Sequence, residues 1–199
     1  MSLILFDRLY TLSSTVESIR NIDFKIDRDG FIVLCDVKEV RDRKDMSYAV
    51  ISPQNQIRND IRKLRKKFGK QRPSLPVVLV TMNFGSNIFT GFSVKTALIG
   101  DVGVYIDATT KTRSELLHLP RGNAAFTKYH NTTISAVLAF DVKNQIYHCL
   151  FRNPFTHNPI PQDYFPVWKA IDLNPNANEE NLKILSSLMF WPKSFNNTY

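Results

Sequence analysis

Residues 22–40 read Ile22-Asp23-Phe24-Lys25-Ile26-Asp27-Arg28-Asp29-Gly30-Phe31-Ile32-Val33-Leu34-Cys35-Asp36-Val37-Lys38-Glu39-Val40, and this stretch decides the fold. Asp27-Arg28-Asp29-Gly30 is a turn, because an Asp-Gly pair tolerates the positive φ angles of a tight hairpin. It separates a strand over residues 22–26 from a returning strand over Phe31–Val40. The first five residues of that second strand are apolar at both parities. A strand apolar on both faces is buried on both faces, so it belongs in the middle of a sheet.

Downstream of this strand, residues 41–48 form a polar connection. Ser52-Pro53 then starts a helix, with Ser as N-cap and Pro at the first helical position. Ile57, Ile61, Leu64 and Phe68 make one apolar stripe. Gly69 ends the helix, and Pro73 and Pro76 prevent its resumption. A second buried strand follows over residues 75–82. Strand, helix and strand make a βαβ unit with a right-handed crossover. Upstream, residues 14–20 are read as a short helix.

Further along, residues 93–99 suggest a short helix and residues 102–106 a strand. Residues 109–128 read mostly as loop, broken by Pro120 and Gly122. A second hairpin joins residues 133–141 to residues 145–151 through Lys143-Asn144. Residues 153–161 form a Pro/Asn-rich ordered loop, and a final helix begins after Asn178. No linker divides two cores. The fold class is α/β, a central mixed β-sheet flanked by helices, in one domain over 1–199. Residues 1–175 form the core and residues 176–199 a C-terminal helix and tail.

The chain carries 26 basic and 18 acidic residues, a formal charge of +8. The excess is local. Arg58, Arg62, Lys63, Arg65, Lys66, Lys67, Lys70 and Arg72 stand against the single acid Asp60. Eight bases less one acid leave +7 in that segment and only +1 elsewhere. So lopsided a helix repels itself unless something neutralises it, which points to a polyanionic partner. A solvated helix face is the plain alternative. No apolar run is long enough to span a bilayer. The first ten residues lack a signal peptide's basic and apolar regions. Cys35 and Cys149 sit in apolar runs and read as buried free thiols of a reducing compartment. The expectation is a cytoplasmic protein without a membrane partner. His118, His130, His148 and His157 show no spacing for a triad or a metal, and Ser135 has no nucleophile elbow.

Asp36-Val37-Lys38 carries the chemistry. Residues two apart on a strand share a face. Charges leaving a central strand are costly to desolvate unless they pair or bind something. A carboxylate beside an ammonium suits phosphodiester hydrolysis. The acid holds a hard cation through oxygen, and the lysine orients a water or stabilises developing charge. A strand-end ion pair is the plain alternative. Counting back across a four-residue turn places Asp23 opposite Leu34 and diagonal to Asp36, about 7–8 Å away. Gln54 lies about 60° from Ile57 on the helical wheel, near the inward stripe, whereas Gln56 is turned sideways.

This order of elements resembles the PD-(D/E)xK nuclease superfamily. It is also similar to a group of uncharacterised bacterial and phage proteins that share a triplet-bearing strand, a Gln-Ile-Arg helix, a strand and a late Thr-x-Ser-Ala-Val strand. The corresponding pieces here are residues 35–40, Gln56-Ile57-Arg58, residues 77–82 and residues 133–137. There is no Pro-Asp dipeptide, and the triplet has Asp where Glu is commoner. The resemblance implies a restriction-endonuclease-like core. Asp23, Asp36 and Lys38 would be catalytic, with Mg²⁺ on Asp23 and Asp36. Glu17, on the preceding helix, would be an auxiliary acid, with Gln54 and Gln56 as auxiliary polar groups. Arg58, Arg62, Lys63, Arg65, Lys66 and Lys67 would contact nucleic acid, DNA ahead of RNA. A homodimer would suit double-strand cutting. Two alternatives stand beside it. One is an inactive nucleic-acid-binding module on the same fold, and the other is a protein-interaction domain using the 153–161 loop and the aromatic tail.

Overall fold

The structure is a computed structural model. It describes residues 22–40, 53–69, 72–84, 91–106, 109, 113–119, 123–142, 147–165, 167 and 169–173. The expected helices over 14–20 and beyond Asn178 lie outside the described residues, as do Glu17, Lys70, Trp168 and Trp191.

Strands β1 (Phe24–Arg28) and β2 (Phe31–Val40) form the first hairpin. Its turn is tighter than the sequence suggested. Asp29 and Gly30 alone make the connection, with φ of 55° and 80°, and Arg28 pairs with Phe31. Positive φ at both central residues is the hairpin geometry that matches strand twist. Asp27 Oδ1 accepts the Gly30 N–H at 3.1 Å.

Helix α1 (Pro53–Lys67) follows, and it ends at Gly69, whose φ is 58°. It leads to β3 (Val77–Asn83), which pairs parallel to β2. Helix α2 (Gly91–Ile99) and strands β4 (Asp101–Ile106) and β5 (Arg113–Leu119) come next. The strand β5 lies where a loop was expected. It pairs antiparallel with β4 in a separate two-stranded sheet. Its sequence sets Leu116 beside Leu117 and runs into Pro120, so no clean alternation announces it, and cross-strand pairing decides its state.

Strands β6 (Ala136–Asp141) and β7 (Tyr147–Arg152) make the second hairpin, and β8 (Lys169–Asp172) adds parallel to β7. The six-stranded order is β1-β2-β3-β6-β7-β8, a mixed sheet. The central position of β2 and β3 follows from their apolar runs.

Two cores form on the two faces. Leu34, Val40, Val77 and Leu79 pack with Ile57, Ile61 and Leu64 of α1 and Val94, Ala97 and Leu98 of α2. Both helices therefore cover one face. Val33, Cys35, Val78, Ala136 and Leu138 pack on the other face against Ile160, Tyr164 and Phe165 of the late loop. Polar clamps hold that loop. The Tyr164 hydroxyl donates to the Ile26 and Phe31 carbonyls, both at 3.0 Å. Asn153 Nδ2 donates to the Ile134 carbonyl at 2.7 Å. Ser135 Oγ accepts the Val77 N–H at 3.0 Å, which explains a buried serine without hydrolase chemistry. No described helix is long and apolar enough to cross a membrane.

Ile61→Ala removes a fully buried side chain from the α1 stripe and should cost about 2–5 kcal/mol in urea unfolding. Arg62→Ala, one residue on and exposed, should change stability by less than about 0.5 kcal/mol.

Candidate active site

Asp36 stands in the middle of β2 and is 0% exposed. It shares parity with Leu34 and Val40, so it faces the helices. Two ammonium groups meet it there. Lys38 Nζ lies 2.7 Å from Oδ2, and Lys67 Nζ, from the last turn of α1, donates to Oδ1. The Lys38 contact is an ion pair without an aligned hydrogen bond, so Oδ2 has no hydrogen-bond partner. Lys38 also donates to the Val37 carbonyl at 3.1 Å. Asp60, on the inner side of α1 and 5% exposed, joins this charged layer. Burial pushes its carboxyl up; Lys63, at 3.5 Å, and Lys38 pull it down, and the Asp36 charge adds to the rise.

The short turn brings Asp23 closer to this layer than the count from sequence. The register advances by two residues, which preserves the face. Phe24 pairs with Cys35, so Asp23 stands one step further, across from Asp36 rather than Leu34. Its Oδ2 accepts the Val37 N–H at 2.7 Å. The side chain is exposed and anchored at the centre of the triplet.

Other predicted residues divide between inside and outside. Gln56 Nε2 donates to the Glu39 carbonyl at 2.7 Å, which ties the start of α1 to the end of β2. Gln54 is half-buried on the same turn. Arg58 is turned inward and holds α1 to α2 and β4. It pairs with Asp101 at 2.5 Å and donates to the Thr96 carbonyl at 3.0 Å. Lys67 is committed to Asp36. Arg62, Lys63, Arg65 and Lys66 remain as the exposed cationic face. The two thiols are buried, and burial pushes Cys35 up to about 12 and Cys149 up to about 11. Neither offers a thiolate near neutral pH.

The structure adds residues that sequence reading passed over. Thr81 pairs with Lys38 across β3, is buried, and its Oγ1 has no hydrogen-bond partner. Asn83 and Asp141 end the parallel strands β3 and β6, and Asn83 Nδ2 donates to Asp141 Oδ1 at 2.9 Å. All three share the helix-facing parity with Asp36. They make a buried polar corner at the carboxyl ends of parallel strands, where open α/β sheets bind ligands. The available signal was Thr81 and Asn83 alternating with apolar residues at the end of a buried run.

A divalent cation needs oxygen donors that converge. Among the described residues, no three His, Cys, Asp or Glu side chains converge as metal ligands. Two carboxylates suffice for Mg²⁺, which fills its octahedron with waters and substrate phosphate oxygens. Asp36, whose Oδ2 and Oδ1 face Lys38 and Lys67, and Asp23, whose Oδ2 accepts the Val37 N–H, are two carboxylates the hairpin offers. By donor type, such a pair suits a largely hydrated Mg²⁺ and not an all-protein cage. Comparison with family models, curated proteins and solved structures finds no match.

Burial pushes Asp101 up, but hydrogen bonds from Arg58 and Asn123 and the Arg58 charge outweigh it and hold the carboxyl below its ordinary value. A depressed native pKa gives stability that is present above the unfolded value, about 3.9. That stability is lost as pH falls through the native one. Asp101→Asn should therefore lower the urea midpoint at pH 7. The difference from wild type should shrink as pH drops below about 4.

Proposed function

We propose that this chain is a metal-dependent nuclease of restriction-endonuclease-like build, which hydrolyses phosphodiester bonds in nucleic acid, DNA ahead of RNA. One observation carries the reading. Asp36 and Lys38 share a face of a central strand, and Asp36 Oδ2 and the neighbouring Thr81 Oγ1 are buried without hydrogen-bond partners. Such a cost, borne on the two neighbouring strands β2 and β3 beside the helix-side core, is characteristic of a working site.

Asp36 and Asp23 would hold Mg²⁺. When bound, the cation lowers the pKa of its water and polarises the phosphate. Lys67 holds Asp36 oriented from the helix side. Lys38, whose side chain is 26% exposed, is the lysine able to turn to the water or to the developing charge. Arg62, Lys63, Arg65 and Lys66 contact phosphates along α1.

A second reading is a non-catalytic nucleic-acid-binding module. It is favoured by the complete burial of Asp36 between two lysines.

A cleavage assay on linear DNA, plasmid DNA and single-stranded RNA with Mg²⁺ or Mn²⁺ tests both. The nuclease reading expects cutting that EDTA abolishes and that falls more than about 100-fold in Asp36→Ala and Lys38→Ala. Absence of cutting with retained salt-sensitive binding would replace it by the second reading. In either case Arg62→Ala, Arg65→Ala and Lys66→Ala together should flatten the salt dependence of duplex binding by about 0.9 per lost phosphate contact. An unchanged slope would move the function to a protein partner.

A further inference from the structure

The turn Thr127–His130 presents an aromatic ring that neither core uses. Tyr129 is 76% exposed, the most exposed large apolar side chain among the described residues. The turn beneath it is well fixed. Thr127 and His130 exchange both backbone hydrogen bonds, at 3.3 and 3.2 Å. Thr127 Oγ1 accepts the N–H groups of Tyr129 and His130, at 3.3 and 3.0 Å. Asn131 takes φ of 59° and donates through Nδ2 to the Ala125 carbonyl at 2.5 Å. Ala125 and Phe126 are buried, and their N–H groups donate to the Ala97 and Leu98 carbonyls at 3.0 and 2.8 Å. The ring thus stands on a preorganised mount, so that a ligand need not pay for ordering it.

Lys128 Nζ lies 4.9 Å from the Tyr129 ring centroid. One face of the ring meets an ammonium, and a ring so exposed leaves apolar area for another planar group. His130 is exposed beside it. Every other residue of the turn is polar, so the turn itself gives the ring no apolar surround of the kind a protein-docking anchor uses. A flat ring with an adjacent cation matches a nucleotide, which carries a π-face and a phosphate.

We infer that Tyr129 stacks on an unpaired base of a single-stranded nucleic acid while Lys128 contacts the flanking phosphate. The inference rests on the nucleic-acid reading above and names the strand state that this turn recognises. Bases in an intact duplex are already stacked on each other and cannot present a face to the ring.

Fluorescence anisotropy in EDTA, with an end-labelled oligothymidylate and a duplex of the same length, tests it. Tyr129→Ala should weaken single-strand binding about 5- to 100-fold and leave duplex binding within about twofold of wild type. Tyr129→Phe should bind as wild type does, because stacking needs the ring and not the hydroxyl. Unchanged single-strand affinity in Tyr129→Ala, while Arg62→Ala and Arg65→Ala weaken binding, would overturn stacking alone and leave the ring as a protein contact. A wild-type protein that binds neither oligonucleotide would overturn the nucleic-acid reading and this inference with it.

Discussion

The carboxylate of Asp36 is the constraint around which the structure is arranged. It sits in the middle of a strand whose Leu34 and Val40, on the same face, pack into the helix-side core. Removing a charge from water there costs several kcal/mol even after relaxation. The chain meets that cost with Lys38 from the same strand and Lys67 from the end of the crossover helix. A well-packed apolar residue in place of such a cluster is often neutral or stabilising. Packing alone therefore gives no reason for a carboxylate at this point.

The rest of the site follows from how the strand is held. The two-residue turn sets the register that places Asp23 across from Asp36 and anchors it on the Val37 N–H. The helix crosses back over the strand and divides its bases by direction. Arg58 and Lys67 are drawn inward to carboxylates, while Arg62, Lys63, Arg65 and Lys66 stay in solvent. The inner pair stabilises the layer between helix and sheet. The outer group produces a positive field, and among the described residues the Lys63–Asp60 contact is the ion pair it makes. At the far end of β3 and β6, Thr81, Asn83 and Asp141 continue the polar surface, so the site extends beyond the triplet across three strands.

Much of this was legible in residues 22–83. Two-sided apolar runs place β2 and β3 centrally, and the Ile57, Ile61, Leu64 and Phe68 stripe fixes the inward face of α1. All four are buried. Asp36 and Lys38 share a face for the period-two reason alone. What escaped reading depended on partners distant in the chain. The turn length was ambiguous because Asp27 and Asp29 are both turn formers, and only pairing decides between them. Arg58 has the same charge as Arg62, and its inward turn depends on Asp101, 43 residues on. Strand β5 depends on β4 for its state, and β8 is four residues of unremarkable pattern that pair with β7. Thr81 and Asn83 gain meaning only when β3 lies between β2 and β6.

Calorimetric titration of Mn²⁺ into the protein at neutral pH, beside Asp36→Asn, addresses the role of the buried carboxylate most directly. Saturable binding at a single site is expected in the wild-type chain and its loss in Asp36→Asn, with the variant still folded. No saturable binding, or binding that persists unchanged in the variant, would contradict it and leave Asp36 as the centre of a structural ion-pair layer.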